Sequence, residues 1–192
     1  TMYEQGEGVE KDDSKVVEWY SKSAENGNPD ALFNLGVLYQ NGQLELDQDY
    51  STAYNFYQRS ADAGNPTAYY NMAVMLFNNE VNIDEEENSR NLAYKYFLKS
   101  AELGCPDAQF FAGQLYEYGE HVEKDLVKAA QLYREAADNG NMAAQYNLGV
   151  LYTNGDGGVT KNIEQAKHYY QLAADQGDSD ALFNMEMLEQ EE

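Results

Sequence analysis

The chain has 192 residues, with 34 acidic and 12 basic side chains and a formal net charge of −22. A surface this acidic repels phosphate backbones and anionic bilayers, which disfavours nucleic-acid and membrane-surface roles. Hydrophobic residues at 43% exceed what a disordered chain carries, no stretch approaches the ~20 apolar residues of a membrane helix, and a single cysteine permits neither an internal disulfide nor a multi-thiolate metal site.

In chain order, residues 1–29 hold the closing turn of one helix (Tyr3, Gly6), a connection from Gly6 to Asp12, and a second helix ending at Ser23-Ala24 and Gly27. Because the first turns of the opening helix are missing, further repeats are expected before Thr1. Residues 30–66 hold the first full pair: a helix A with Ala31, Leu32, Leu35, Gly36, Leu38 and Tyr39, stopping at Gly42, and a helix B ending at Ser60-Ala61 and Gly64. The pair returns at 67–106, 107–142 and 143–179, and residues 180–192 supply a last helix A. In that last helix the glycine and tyrosine positions are Glu186 and Glu189, which reads as a solvated cap, since packing another helix there would bury charge.

Anchored on Ala31, Ala68, Ala108, Ala144 and Ala181, the copies lie 37, 40, 36 and 37 residues apart. A self-similar period of this length is the signature of a stacked helical array. Apolar residues at i, i+3, i+6 and i+7 place one stripe of helix A against a core. Gly36, Gly113 and Gly149 sit mid-helix, where glycine costs ~1 kcal/mol, so their return is expected to be close approach of helix A to helix B. Tyr20, Tyr57, Phe97, Tyr133 and Tyr170 are the expected fillers between neighbouring helices.

The pattern A-x-x-x-L-G-x-x-Y-x-x-G, then G-x-G-V-x-x-D, then K-A-x-x-x-Y-x-x-A-A-x-x-G resembles the Sel1-like repeat, a relative of the tetratricopeptide repeat. It is carried by Gly6 to Asp12, Gly119 to Asp125 and Gly155 to Asn162, while Gly42 to Asp47 lacks the Gly-Val pair and Asn79 to Arg90 is longer and more acidic. The resemblance implies an all-α, right-handed α/α superhelical solenoid. It also implies roles as an adaptor in signalling, cell-envelope or quality-control assemblies.

No catalytic constellation is visible, and the chain reads as a non-enzyme with no cofactor and no metal site. His121 replaces a loop glycine, and His168 adjoins the core pair Tyr169-Tyr170. Cys105 stands where Asn28, Asn65, Asn141 and Asp178 stand elsewhere and reads as an inert substitution. The run Asp84 to Glu87 lacks the alternating ligands and central glycine of an EF-hand and reads as a solvated loop before a helix. The paired cysteines of the family's β-lactam-linked subgroup are missing.

A second stripe on the A helices is the candidate partner surface. Asn34, Val37 and Asn41 share one helical face and recur as Asn71, Val74 and Asn78, then as Asn147, Val150 and Asn154, with Asn184 and Met187 beginning it again. The third copy breaks it with Phe111, Gln114 and Tyr118. Two readings stay open. A ladder of amides suits the backbone of an extended peptide, with Phe111 and Tyr118 as an apolar anchor site. Alternatively, Asn34, Asn71, Asn147 and Asn184 support neighbouring structure, and Asn41, Asn78 and Asn154 end helices. The adjoining Phe33, Tyr70, Phe110, Tyr146 and Phe183 are expected in the core.

All twelve basic residues fall on B helices or the connections before them. A carboxylate clamp built from A-helix cations is therefore impossible, and acidic C-terminal peptides are not expected as ligands. The expected function is a protein-protein interaction scaffold that receives a peptide segment or partner subunit on a concave helix-A face, without nucleic acid and without direct membrane insertion. The alternative is a regulatory or substrate-recruiting repeat domain of a larger enzyme or complex. Compartment is not legible, although the absence of an Asn-x-Ser/Thr acceptor with a permitted middle residue leans towards the cytoplasm.

Overall fold

The computed structural model describes residues 12–81 and 86–190, apart from the side chains of residues 86–88. The connection Gly6 to Lys11 and, of the acidic run, Asp84, Glu85 and the side chains of Glu86 and Glu87 lie outside what is described. Ten helices and no strand occur among the described residues. They are α1 (Asp13–Glu25), α2 (Pro29–Asn41), α3 (Tyr50–Asp62), α4 (Pro66–Phe77), α5 (Glu86–Glu102), α6 (Pro106–Tyr118), α7 (Leu126–Asp138), α8 (Met142–Asn154), α9 (Ile163–Asp175) and α10 (Ser179–Gln190). Even-numbered helices are the expected A helices and odd-numbered ones the B helices. The chain divides into two compact bodies, Thr1–Lys99 and Ser100–Glu192.

The small-Ala-x-x-Gly block is the B-to-A turn. In every copy two amides turn back onto the helix end: Gly64 N donates to Ala61 O at 2.9 Å and Asn65 N to Ser60 O at 3.1 Å, and Gly140 and Asn141 repeat this on Ala137 and Ala136. The glycine must take positive φ, +98° at Gly64 and +88° at Gly140. The next residue caps helix A: Asn28, Asn65 and Asn141 accept from the amides of Ala31, Ala68 and Ala144. Cys105 holds the same extended backbone but makes no side-chain cap bond.

The A-to-B connection is clasped with equal regularity. The amides of Asp49, Asp125 and Asn162 donate to the carbonyls of Tyr39, Tyr116 and Tyr152 at 2.8–2.9 Å. The same three residues cap helix B, so α7 begins at Leu126 with Asp125 as its N-cap. Ser60 Oγ at the end of α3 donates to Pro29 O at the start of α2 at 2.7 Å, which fixes the pair as antiparallel. His121, in a position that calls for glycine, has φ +57°.

The mid-helix glycines do what their position predicts. A Cβ on Gly36, Gly113 or Gly149 would lie 2.5–2.6 Å from a ring carbon of Tyr57, Tyr133 or Tyr170. Each ring is buried in the core of its body. Burying such a ring contributes roughly 2 kcal/mol, which outweighs the ~1 kcal/mol helix cost of the glycine that admits it. Phe33, Phe110 and Tyr146 pack on Tyr57, Tyr133 and Tyr170, and Tyr70 packs on Phe97, with centroids 5.5–5.9 Å apart. Phe183 differs: it is 61% exposed, along with Leu182 and Met187 on the same helix.

Candidate functional site

The three tyrosines that meet the mid-helix glycines are each held from two sides by polar groups. Tyr57 Oη donates to Gln40 Oε1 on α2 at 2.7 Å, and the Asn71 side chain on α4 hydrogen-bonds the same hydroxyl. Tyr133 Oη donates to Glu117 Oε2 on α6 at 2.5 Å and is bonded by Asn147 on α8. Tyr170 lies 3.4 Å from Thr153 Oγ1 on α8 and is bonded by Asn184 on α10, whose Nδ2 also donates to Tyr146 Oη at 3.3 Å. Burial pushes the Tyr57 phenol up to about 12 and raises those of Tyr133 and Tyr170.

Asn71, Asn147 and Asn184 therefore spend part of their hydrogen-bonding capacity within the fold. The sequence carries this as a 14-residue step from aromatic to amide: Tyr20 to Asn34, Tyr57 to Asn71, Tyr133 to Asn147 and Tyr170 to Asn184. In the remaining copy the positions equivalent to Gln40, Tyr57 and Asn71 are Phe77, Phe97 and Phe111, so all three polar partners are lost in concert. Ala73 there replaces the glycine, and Phe97 packs on Phe77 at 6.4 Å.

The other stripe residues have mixed fates. Asn34, Val37, Val74, Phe111 and Gln114 are half-buried, and Val37 packs against the cluster around Tyr57. Asn41 and Asn154 are the exposed last residues of α2 and α8. Asn78 is the C-cap of α4, and its Nδ2 donates to Glu80 Oε1 at 3.2 Å. Tyr118 ends α6 with 66% of its surface exposed.

Two stripe residues, Val150 and Asn154, meet in a cleft of about 430 Å³ within the second body. It is lined by Glu117 of α6, by Leu126, Ala129, Ala130 and Tyr133 of α7, by Val150, Leu151 and Asn154 of α8, and by Asp156 and Gly157 of the connection that follows. This hollow escapes the stripe pattern because two residues off the stripe create it. Ala130 stands where sibling repeats carry Val17, Tyr54, Tyr94 and Lys167, and Glu117 stands where they carry Gln40, Phe77 and Thr153. No Lys or Arg occurs on α2, α4, α6, α8 or α10.

Among the described residues no group of three or more His, Cys, Asp or Glu side chains is arranged to hold a metal ion. No helix among them is long and apolar enough to cross a membrane. Cys105 is 2% exposed.

Five Sel1 repeats match this chain, over residues 1–28, 29–65, 66–105, 106–141 and 143–178. A protective antigen of uropathogenic Escherichia coli displaying an SLR fold superposes with a TM-score of 0.77 at 31% identity, covering 96% of this chain and 38% of the antigen. A Sel1 repeat protein from Oxalobacter formigenes superposes equally well, 0.77 at 32% identity over 94% of this chain and 71% of that one. An Arabidopsis thaliana component of an ERAD-associated E3 ubiquitin-protein ligase, HRD3B, is 31% identical over 72 residues, 38% of this chain but only 12% of its own length. The chain belongs to the Sel1 repeat family, whose α-solenoids are in general non-catalytic protein-protein interaction modules.

Proposed function

We propose that this chain is an interaction scaffold that receives a peptide segment or a partner subunit on its A-helix face. The observation that carries this is the cleft between α6 and α8, where Val150 and Asn154 of the recurrent stripe line an open hollow. Side chains that sat on one helical face only to end a helix or brace a neighbour would not need to border free volume. The A helices bear no cation, so the face does not compete for acidic chain ends and instead offers amides, valines and the aromatic Tyr118.

Asn71 and Asn147 each bond one tyrosine hydroxyl, yet those hydroxyls keep Gln40 and Glu117 as acceptors. Replacing both with alanine therefore costs about 1 kcal/mol per site. In a pulldown, Asn71→Ala with Asn147→Ala weakens capture of a partner recovered by the unaltered chain, and the melting temperature shifts by a few degrees. Unchanged capture, or loss of the fold, overturns the assignment of these amides to binding. A second reading, a recruiting domain of a larger assembly, is favoured by the HRD3B relative, which is named as a component of a ligase rather than as an independent protein.

A further inference from the structure

We infer that the cleft between α6 and α8 is an anchor site for a cationic side chain, Arg or Lys, of the bound segment. The inference rests on the A-helix face being the partner surface and specifies what that partner must carry. Of the residues that line the hollow two are acids, Glu117 and Asp156, and none is a base. Two cations of this body are engaged with tyrosine hydroxyls: Lys128 Nζ donates to Tyr116 Oη at 2.7 Å, and Arg134 donates to Tyr152 Oη at 3.2 Å.

Glu117 is held in place. One carboxylate oxygen accepts from the buried Tyr133 hydroxyl at 2.5 Å, so the group is oriented before any ligand arrives. A preoriented carboxylate at the wall of a hollow favours a donor with several N-H groups, because a charge-assisted bond is about twice as strong as a neutral one. Ala130, Val150 and Leu151 supply an apolar lining that matches the methylene stem of Arg or Lys. Both features are confined to this repeat. With Tyr in place of Ala130, as at Tyr54 and Tyr94, the hollow would fill, and with Gln in place of Glu117, as at Gln40, it would lose its charge.

The probes are acetyl-arginine methylamide and its uncharged isostere acetyl-citrulline methylamide, titrated into the full chain and followed by backbone amide shifts. The arginine probe moves the amides of Ala130, Val150, Asn154 and Gly157, and citrulline moves them about tenfold less at equal concentration. Glu117→Gln weakens arginine binding about tenfold. This variant keeps the fold, because Gln40 already accepts from Tyr57 in the same geometry. Asp156→Asn, at an exposed position, weakens binding as well. Shifts spread over the acidic B helices and insensitive to Glu117→Gln overturn the inference. A peptide-library selection separates the two levels. Selected peptides that perturb the A helices yet lack Arg and Lys refute the cationic anchor and leave the face intact, whereas peptides that perturb no A helix refute both.

Discussion

Replacing Gly113 with alanine is the sharpest test of how the helices are held together. Helix propensity alone predicts a gain, since alanine in a helix interior is favoured over glycine by ~1 kcal/mol. The structure predicts the reverse. The new Cβ would lie 2.6 Å from Cε1 and 2.7 Å from Cδ1 of Tyr133, both well inside contact distance. The ring has little freedom to retreat, because its hydroxyl is tied to Glu117 and its face packs on Phe110 at 5.6 Å. Overpacking a fixed core costs roughly 2–3 kcal/mol, leaving a net loss of about 1–2 kcal/mol, or a fall of ~3–6 °C in melting temperature for a chain of this size. Urea unfolding followed by circular dichroism measures it. The repeat with Ala73 and Phe97 supplies the control: Tyr133→Phe releases the tether, so combining it with Gly113→Ala should cost about 1 kcal/mol less than the two separate losses together. A Gly113→Ala chain that is more stable than the parent, or strict additivity in the pair, would refute the proposed close contact.

Two further outcomes follow from the caps and the phenols. Cys105→Asn restores the side-chain cap made by Asn28, Asn65 and Asn141, and should raise the urea midpoint by an amount equivalent to about 0.5–1 kcal/mol with an unchanged m-value; no increase would mean that the buried site cannot seat the amide. In alkali, the phenols of Tyr57 and Tyr133 are raised above the ordinary value of 10.0, so the neutral form belongs to the fold. Their stabilisation is complete below pH 10 and is lost as pH rises through about 12 for Tyr57. Absorbance at 295 nm should show the phenols of Tyr57 and Tyr133 ionising only together with loss of helix. Ionisation of all seventeen tyrosines in one step near pH 10 with helix intact would contradict this.

How far the sequence could be read depended on whether a residue's role is local. The helix pairs, the glycine turns and the glycine-tyrosine contacts were all legible, because each repeats with a fixed spacing and its cause lies within one pair of helices. Expecting Phe183 in the core with its siblings failed, since burial of that position depends on a following B helix, and none lies against α10 among the described residues. The asparagine stripe was legible as a stripe but not as a set of tyrosine partners, because the hydroxyl that Asn71 meets lies on the preceding repeat. The cleft was not legible at all. It arises where the small Ala130 coincides with Glu117, two positions on different helices that no single-helix periodicity connects.

The change from Gln40, Tyr57 and Asn71 to Phe77, Phe97 and Phe111 bears on how such a gene can grow or shrink. A tyrosine reads one residue from its own repeat and one from the next, so what is inherited as a working set straddles the repeat boundary. Excising residues 66–105 would place Phe111 in the position that serves Tyr57, and excising 106–141 would place Asn147 in the position that follows Phe97. Either deletion keeps every repeat whole and still mismatches a seam. Recombination that preserves stability must break the chain within a repeat, between the asparagine of one set and the glycine position of the next, and shuffled arrays cut at the visible boundaries should be selected against in proportion to the number of seams they mix.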